Sequence, residues 1–387
     1  MKKDTQLTHL GRHVEHCPST VNVPLHRAST VLFESMAQQN EIQRRFDNDE
    51  QVPTYGVVNM PQESALENAV AAMEGGYRAL TFSSGLGAVA GALLACVKTG
   101  DHVLMPDSNY YPGRRFAERF LTRFGVTTTF YDPLIGANIA SLMRPNTTVV
   151  YTESPGSHTF EVQDIPAIAK AAHARGAKVI IDNAWATGYF FNAFEHGVDL
   201  VVQPATKYYA GHSDVLIGLV VANKESWPIL KETTLDLGQR ASPDDCFLAL
   251  RGMRTMGVRL RRHQESAFII AKWLQSRPEV KRVMYPVLES DAGHALWKRD
   301  FTGAAGLFTI ELNPCSATQL AAMLDHYEYF ALGYSWGGFE SLAVVAHFKR
   351  TVNSLPSGPL VRYNIGLEDP DDLIRDLKAG FERLGKS

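Results

Sequence analysis

From residue 61 onward the chain alternates short apolar runs with segments of helical periodicity. "RALTF" (78–82), "DHVLMP" (101–106), "VTTTFYD" (126–132), "TTVVYTESP" (147–155), "AKVIIDNAW" (177–185) and "VDLVVQPATK" (198–207) have the length and composition of buried strands. Patterns such as "IPAIAKAAHARG" (165–176) lie between them, and the alternation predicts an α/β fold with a largely parallel sheet. After about residue 250 the rhythm weakens. "RGMRTMGVRLRRHQESAFIIAKWLQ" (251–275) predicts one long amphipathic helix, followed by a strand in "GLFTIEL", a loop in "GYSWGGFESL" and a terminal helix in "DDLIRDLKAGFERLG". Residues 1–60 are polar and irregular, with "FDNDEQVPTYGVVNMP" as a long loop. The predicted division is an extended N-terminal segment (1–60), a large α/β domain (61–252) and a smaller C-terminal α+β domain (253–387).

Composition narrows the function classes. With 38 Lys+Arg against 41 Asp+Glu, the net charge of −3 gives no electrostatic case for nucleic acid or an anionic membrane. Cys17, Cys96, Cys246 and Cys315 form no C-x-x-C pair, which fits a reducing compartment. The start, "MKKDTQLTHLGRH", lacks the apolar stretch of a signal peptide, and "LGAVAGALLACV" (86–97) is shorter than the ~20 residues a membrane span needs. A cytoplasmic protein is expected.

Three features converge on one chemistry. "TFSSGLGAVAGALL" (81–94) reads as a strand, a small-residue turn and an apolar helix, and such a helix start can bind phosphate through its backbone N–H groups. It is neither a Walker P-loop nor G-x-G-x-x-G, and it also reads as a tight turn into a buried helix. Asp182 ends the strand "KVIID", at the sheet edge where α/β folds place ligands; a helix N-cap is the plainer role for it. Lys207 lies 25 residues further on, room for one helix and one strand, so acid and amine can occupy neighbouring strand ends. A phosphate cradle, an acid and a lysine are what pyridoxal 5'-phosphate (PLP) requires: an amine to link it covalently, an acid to keep its ring nitrogen protonated, and a helix end for its phosphate.

The stretches "ESPGSHTFEVQDIPAIAKAAHARGAKVIIDNAWATG", "ATKYYAGHSDVLIG", "YSWGGFESL" and "VRYNIGLED" closely resemble the cysteine/methionine-metabolism family of PLP enzymes, the cystathionine β-lyases most of all. The resemblance spans nearly the whole chain. It implies fold type I, the PLP-dependent transferase fold, and elimination from a sulfur-bearing amino acid. It also implies roles: Lys207 for the covalent link and proton transfer, Asp182 for the ring nitrogen, and Tyr110 stacked on the ring and activating the substrate amine. Gly85 and Leu86 supply phosphate-binding amides and Thr206 a hydroxyl. Arg362 grips the substrate α-carboxylate, with Ser335 and Trp336 lining that pocket. Tyr55 reaches the phosphate of a neighbouring subunit, which implies an active dimer, and the family is usually tetrameric.

The loop "TYGVVNMP" departs from the family. Val57 and Val58 stand where cystathionine β-lyases carry arginines, and Glu41 falls about where they carry a lysine. Arg44, Arg45 or Arg115 could supply the missing phosphate charge. Alternatively, the distal end of the substrate is apolar or cationic; canavanine, cleaved at its γ position and paired with Glu41, would suit. Tyr334, where many γ-acting relatives carry glutamate, argues for β-elimination. A relative that has lost PLP binding and catalysis is the rival from another class.

Other clusters have plainer readings. His9, His13, His16 and Cys17 could hold a metal but read as a polar arm helix. "GHSD" is too compact for a triad, and "MRTMGVRLRRH" reads as ion pairs along a helix face.

Overall fold

A computed structural model describes residues 1–12 and 20–385 of the chain. Two sheets organise it. The larger has seven strands: β1 (Arg78–Phe82), β2 (His102–Pro106), β3 (Thr127–Tyr131), β4 (Thr147–Glu153), β5 (Lys178–Asp182), β6 (Leu200–Gln203) and β7 (Gly218–Ala222), in the order β1-β7-β6-β5-β4-β2-β3. Strands β6, β5, β4, β2 and β3 are mutually parallel, while β7 runs antiparallel to both β1 and β6. Two reversals cancel, so β1 points the same way as β6. The carboxyl ends of β1, β2, β4, β5 and β6 therefore share one edge, where open α/β sheets bind ligands.

The sequence expectation of a largely parallel sheet holds, with β7 as the exception. Val149, Val150, Ile180, Ile181, Val201 and Val202 are wholly buried, as central strands covered on both faces require. Helices α3 (Pro61–Glu74) and α4 (Gly85–Cys96) flank β1.

The smaller sheet has β8 (Val280–Met284), β9 (Leu307–Leu312), β10 (Ala331–Leu332), β11 (Leu342–Val345) and β12 (Leu360–Asn364), ordered β10-β11-β12-β9-β8. The long helix expected over 251–275 is two helices, Pro243–Met253 and Met256–Gln275. Its arginines also differ from the reading as ion pairs on a helix face. Arg254 donates to Leu7 O and Leu10 O, Arg259 to Tyr208 O and Gly252 O, and Arg262 to Glu368 O; Arg261 does pair with Asp4. Just before the break, Gly252 packs so tightly on Ala210 O that an added Cβ would lie 2.0 Å from it, so no larger residue fits there.

At the N-terminus α1 (Lys3–His9) packs on the long helix, and α2 (Met36–Asp47) buries no residue. The loop expected from Phe46 thus begins two residues later, after Asp47. His13, His16 and Cys17 lie outside the described residues, so their metal reading stops there.

A buried ion pair locks the two sheets together. Asp107, just past β2, binds Arg114 at 2.8 Å and accepts backbone hydrogen bonds from Thr351, Val352 and Asn353. Both side chains are essentially inaccessible. Burial opposes ionisation of Asp107, but Arg114 and the three N–H groups outweigh it and hold the carboxyl well below its usual range. The depressed value means that this stabilisation is present above the unfolded aspartate pKa of ~3.9 and is lost as pH falls through the folded value. Asp107→Ala is expected to cost about 3 kcal/mol, because the buried Arg114 then keeps only the partly exposed Glu118, 3.1 Å away, as its counter-charge. A thermal melt of Asp107→Ala within a degree of wild type would contradict this.

Candidate active site

Lys207 stands four residues beyond β6, where the Ser335–Gly337 segment of the small domain meets it. Its Nζ donates to Ser335 Oγ at 2.5 Å and lies 5.1 Å from the centre of the Trp336 ring. Burial, and then the positive charge of Arg362, push the amine down to about 8, with Asp182 opposing. The small domain approaches closely here. Gly337 (φ +86°) packs so near that a Cβ would meet the Lys207 backbone at 3.1 Å, and Ser335 holds φ +77° without being glycine. Such strain requires the surroundings to fix it, and it concentrates at functional sites.

Asp182 ends β5 and is paired in register with Val202 on β6, one strand over from the Lys207 turn. It is 6% exposed and accepts one backbone hydrogen bond, from Ala184 N at 3.0 Å. Burial pushes its carboxyl up to about 7, against that hydrogen bond and the Lys207 charge. A carboxylate this buried with so little local support is stabilised by a cation placed beside it.

The helix expected after "TFSSG" is α4, capped by Ser84, whose Oγ accepts from Gly87 N at 3.0 Å. The first N–H groups of a helix have no partner within it, so those of Gly85 and Leu86 are left to bind an anion. Gly85 is required by packing: a Cβ there would lie 2.6 Å from Pro204 Cβ, in the turn that leads to Lys207. Thr206 Oγ1 donates to Ile217 O and accepts from Ile217 N, so its proton is engaged in closing that turn.

Tyr110 sits after β2, with its ring 43% exposed at the same edge. Burial, then the charges of Asp182 and Glu153, raise its hydroxyl above the ordinary tyrosine value. Arg362, on β12, donates to Ser335 O at 3.0 Å, and burial pulls it down to about 10. The structure thus brings Lys207, Asp182, Tyr110, Gly85, Leu86, Thr206, Ser335, Trp336 and Arg362 to one cleft.

Of the rest of the expected site, Tyr334 adjoins this group through Ser335 and the other residues lie apart from it. Tyr55 is 54% exposed, in a turn bridged to Thr30 and Val58. Val57 and Val58 line a separate cavity with Phe46, Glu63, Glu67 and Trp227. Glu41 is exposed on α2 and bound by Arg44 at 2.6 and 2.9 Å; Arg45 binds Glu50. Arg115 is exposed at the end of α5 (Tyr111–Arg115). Tyr334 is 87% exposed beside the cleft loop.

Sequence reasoning missed two supporting groups. Glu74, wholly buried at the end of α3, accepts from Tyr209 Oη at 2.6 Å, Gly188 N at 2.7 Å and Asn183 Nδ2 at 3.0 Å, tying the Asp182 and Lys207 segments together. Arg259 grips the carbonyl of Tyr208. An acid at a helix C-terminus, against the helix dipole, was the one available signal for Glu74.

A buried acid lacking a cation, a tempered amine, an exposed ring and free helix N–H groups along one edge fit PLP in its ring nitrogen, aldehyde, ring face and phosphate. This donor set on this fold defines a fold-type I PLP enzyme. A model of the family described as Cys/Met metabolism PLP-dependent enzyme matches residues 4–382, and the chain belongs to that family. The cystathionine beta-lyase of Escherichia coli is 42% identical, over 99% of this chain and 99% of its own. An L-alanine/L-glutamate racemase of Wolbachia pipientis is 39% identical, over 99% and 98%. The crystal structure of cystathionine gamma synthase from Xanthomonas oryzae pv. oryzae, in complex with aminoacrylate and cysteine, matches with a TM-score of 0.91 at 29% identity, covering 100% of this chain and 99% of that one. No described helix is long and apolar enough to cross a membrane.

Proposed function

We propose that the protein is a PLP-dependent carbon–sulfur lyase that cleaves cystathionine to homocysteine, pyruvate and ammonia. The observation that carries this reading is the Lys207 amine, lowered to about 8 and set among Ser335, Trp336 and Arg362. The relatives named as cystathionine beta-lyases support the substrate.

In this reading Gly85 and Leu86 hold the phosphate through their N–H groups, Asp182 holds the ring nitrogen, and the Tyr110 ring covers the face. Thr206 reaches the phosphate only by turning its hydroxyl away from Ile217. When bound, PLP supplies a sink for the electron pair left at the substrate α-carbon. Arg362 binds the α-carboxylate with its planar fork, and Ser335 and Trp336 wall that pocket. Tyr110, its hydroxyl held protonated by burial, Asp182 and Glu153, would accept a hydrogen bond from the substrate amine and orient it. Lys207 would hold PLP through its amine and, with substrate bound, would take up the α-proton and deliver a proton to the sulfur leaving the β-carbon.

The pH dependence follows from the amine. Lys207 must be neutral to attack the cofactor aldehyde, so cofactor uptake should accelerate as pH rises through about 8. The Arg362 charge is one cause of the lowered value, so Arg362→Ala should move that limb to higher pH. Stopped-flow PLP binding to the cofactor-stripped protein reads both, and a limb that Arg362→Ala left in place would contradict the coupling.

Residues 61–252 form the cofactor domain and 253–387 the carboxylate-binding domain. Residues 1–60 dock on a second copy of the chain, where Tyr55 reaches the partner's phosphate. The exposed apolar Leu32 (88%) and Met36 (78%), with a helix α2 that buries nothing in its own subunit, support a homodimer and its pairing into a tetramer. A cytoplasmic location suits the thiols Cys96, Cys246 and Cys315, which form no disulfide.

Val57 and Val58 favour a second reading, γ-elimination from a substrate with a cationic end such as canavanine. Arg44 neutralises Glu41, however, which removes the negative charge that would attract such a substrate. Purified protein offered cystathionine and canavanine should release thiol from the first at least about tenfold faster than it consumes the second; the reverse preference would select γ-elimination.

A further inference from the structure

Glu153 closes β4 and has no part in the steps above. It is paired in register with Asp182, and register partners on adjacent parallel strands project from the same face of the sheet. Like charges so placed repel, yet Glu153 is neither turned to solvent nor matched by an adjacent cation. Instead its Oε2 accepts a hydrogen bond from the backbone N–H of Tyr110 at 2.6 Å, short for a nitrogen donor. Tyr110 follows β2 and precedes α5 with no side-chain cap of its own, so this contact fixes the backbone that aims its ring.

The groups facing Glu153 come from four elements. They are Asp182 on β5, Tyr110 before α5, Arg350 in the segment after β11, and Glu161 in the loop after β4; Tyr151 is two residues back on β4 itself. Arg350 is already paired with Glu161 at 2.9 Å, so its charge is largely spent there. Burial first, and then Asp182, push the Glu153 carboxyl upward. Glu153 and Asp182 both raise the Tyr110 hydroxyl.

We propose that Glu153 is a positioning residue which holds Tyr110 through its main chain and sets its own negative charge against that of Asp182, so that Glu153, Asp182 and the Tyr110 hydroxyl ionise as one linked set. The inference rests on the roles given to Tyr110 and Asp182 above. It is nonetheless read without turnover, so failure of the lyase reading and failure of this one are separate results.

The test uses the full-length holoenzyme. Glu153→Gln keeps an oxygen for the Tyr110 N–H and removes the charge. Tyrosinate absorbance after a rapid pH jump, taken as the difference from the matching Tyr110→Phe protein, should show Tyr110 ionising at lower pH in Glu153→Gln than in wild type. An unchanged midpoint overturns the charge coupling. Glu153→Ala also loses the hydrogen bond, and its Kd for PLP should rise about tenfold or more, with Glu153→Gln near wild type. A wild-type Kd in Glu153→Ala overturns the positioning role. Should Glu153→Gln fail to fold, carboxyl 13C titration still decides: in Asp182→Asn the Glu153 carboxyl should titrate at lower pH than in wild type, and no movement overturns the proposal.

Discussion

Lys207→Ala is expected to lose at least about 10³-fold in turnover, together with the visible absorbance of lysine-linked PLP, because one side chain provides both the covalent amine and the proton carrier. The fold should survive. Lys207 makes one side-chain hydrogen bond, to Ser335, and its amine is not part of the buried core. PLP should still bind through the α4 N-terminus and Asp182, more weakly. A Lys207→Ala protein that retained the absorbance band and a tenth of the activity would remove Lys207 from its assigned place.

Asp182→Asn should lower kcat on the order of a hundredfold or more with PLP still bound. Asparagine keeps the shape of aspartate and the acceptor for Ala184 N, but it cannot stabilise a protonated ring nitrogen. Its neutral amide also removes the desolvation cost that pushes Asp182 up to about 7, so the protein should be as stable as wild type or more so. Loss of kcat with retained or increased stability is the signature of a group held for chemistry at the expense of folding. Near-normal kcat would contradict the role.

The parts of the molecule legible in the sequence were those with local causes. Strands β1 to β6 announce themselves as apolar runs ended by polar or small residues, and Asp182 and Lys207 stand out as charges at the ends of such runs. Strand β7, "GLVVA", has no helix between it and β6 to mark it as a separate strand, and its antiparallel direction is decided by pairing with β1 and β6. The break at Arg254–Thr255 has no proline to announce it, and Gly252 just before it packs on Ala210, a contact 42 residues away in the chain. Arg259 read as part of a basic surface stripe because sequence cannot show that its donors end on carbonyls beside Lys207. The roles of Glu74 and Glu153 are hidden for the same reason, apart from the position of Glu74 at a helix C-terminus: their partners Tyr209, Asn183 and Tyr110 are brought to them by the sheet. Val57, Val58 and Glu41 are legible as departures from the family and Tyr55 as a match to it, and in the single chain all four lie apart from Lys207 and Asp182.

The central claim is elimination at the β-carbon, and the keto acid formed from cystathionine tests it most directly. Cleavage on the β side leaves pyruvate and homocysteine, whereas cleavage on the γ side leaves 2-oxobutyrate and cysteine. Purified protein supplied with PLP and L-cystathionine should yield pyruvate and homocysteine in equal amounts; 2-oxobutyrate with cysteine, or racemised cystathionine with no keto acid, would contradict the account.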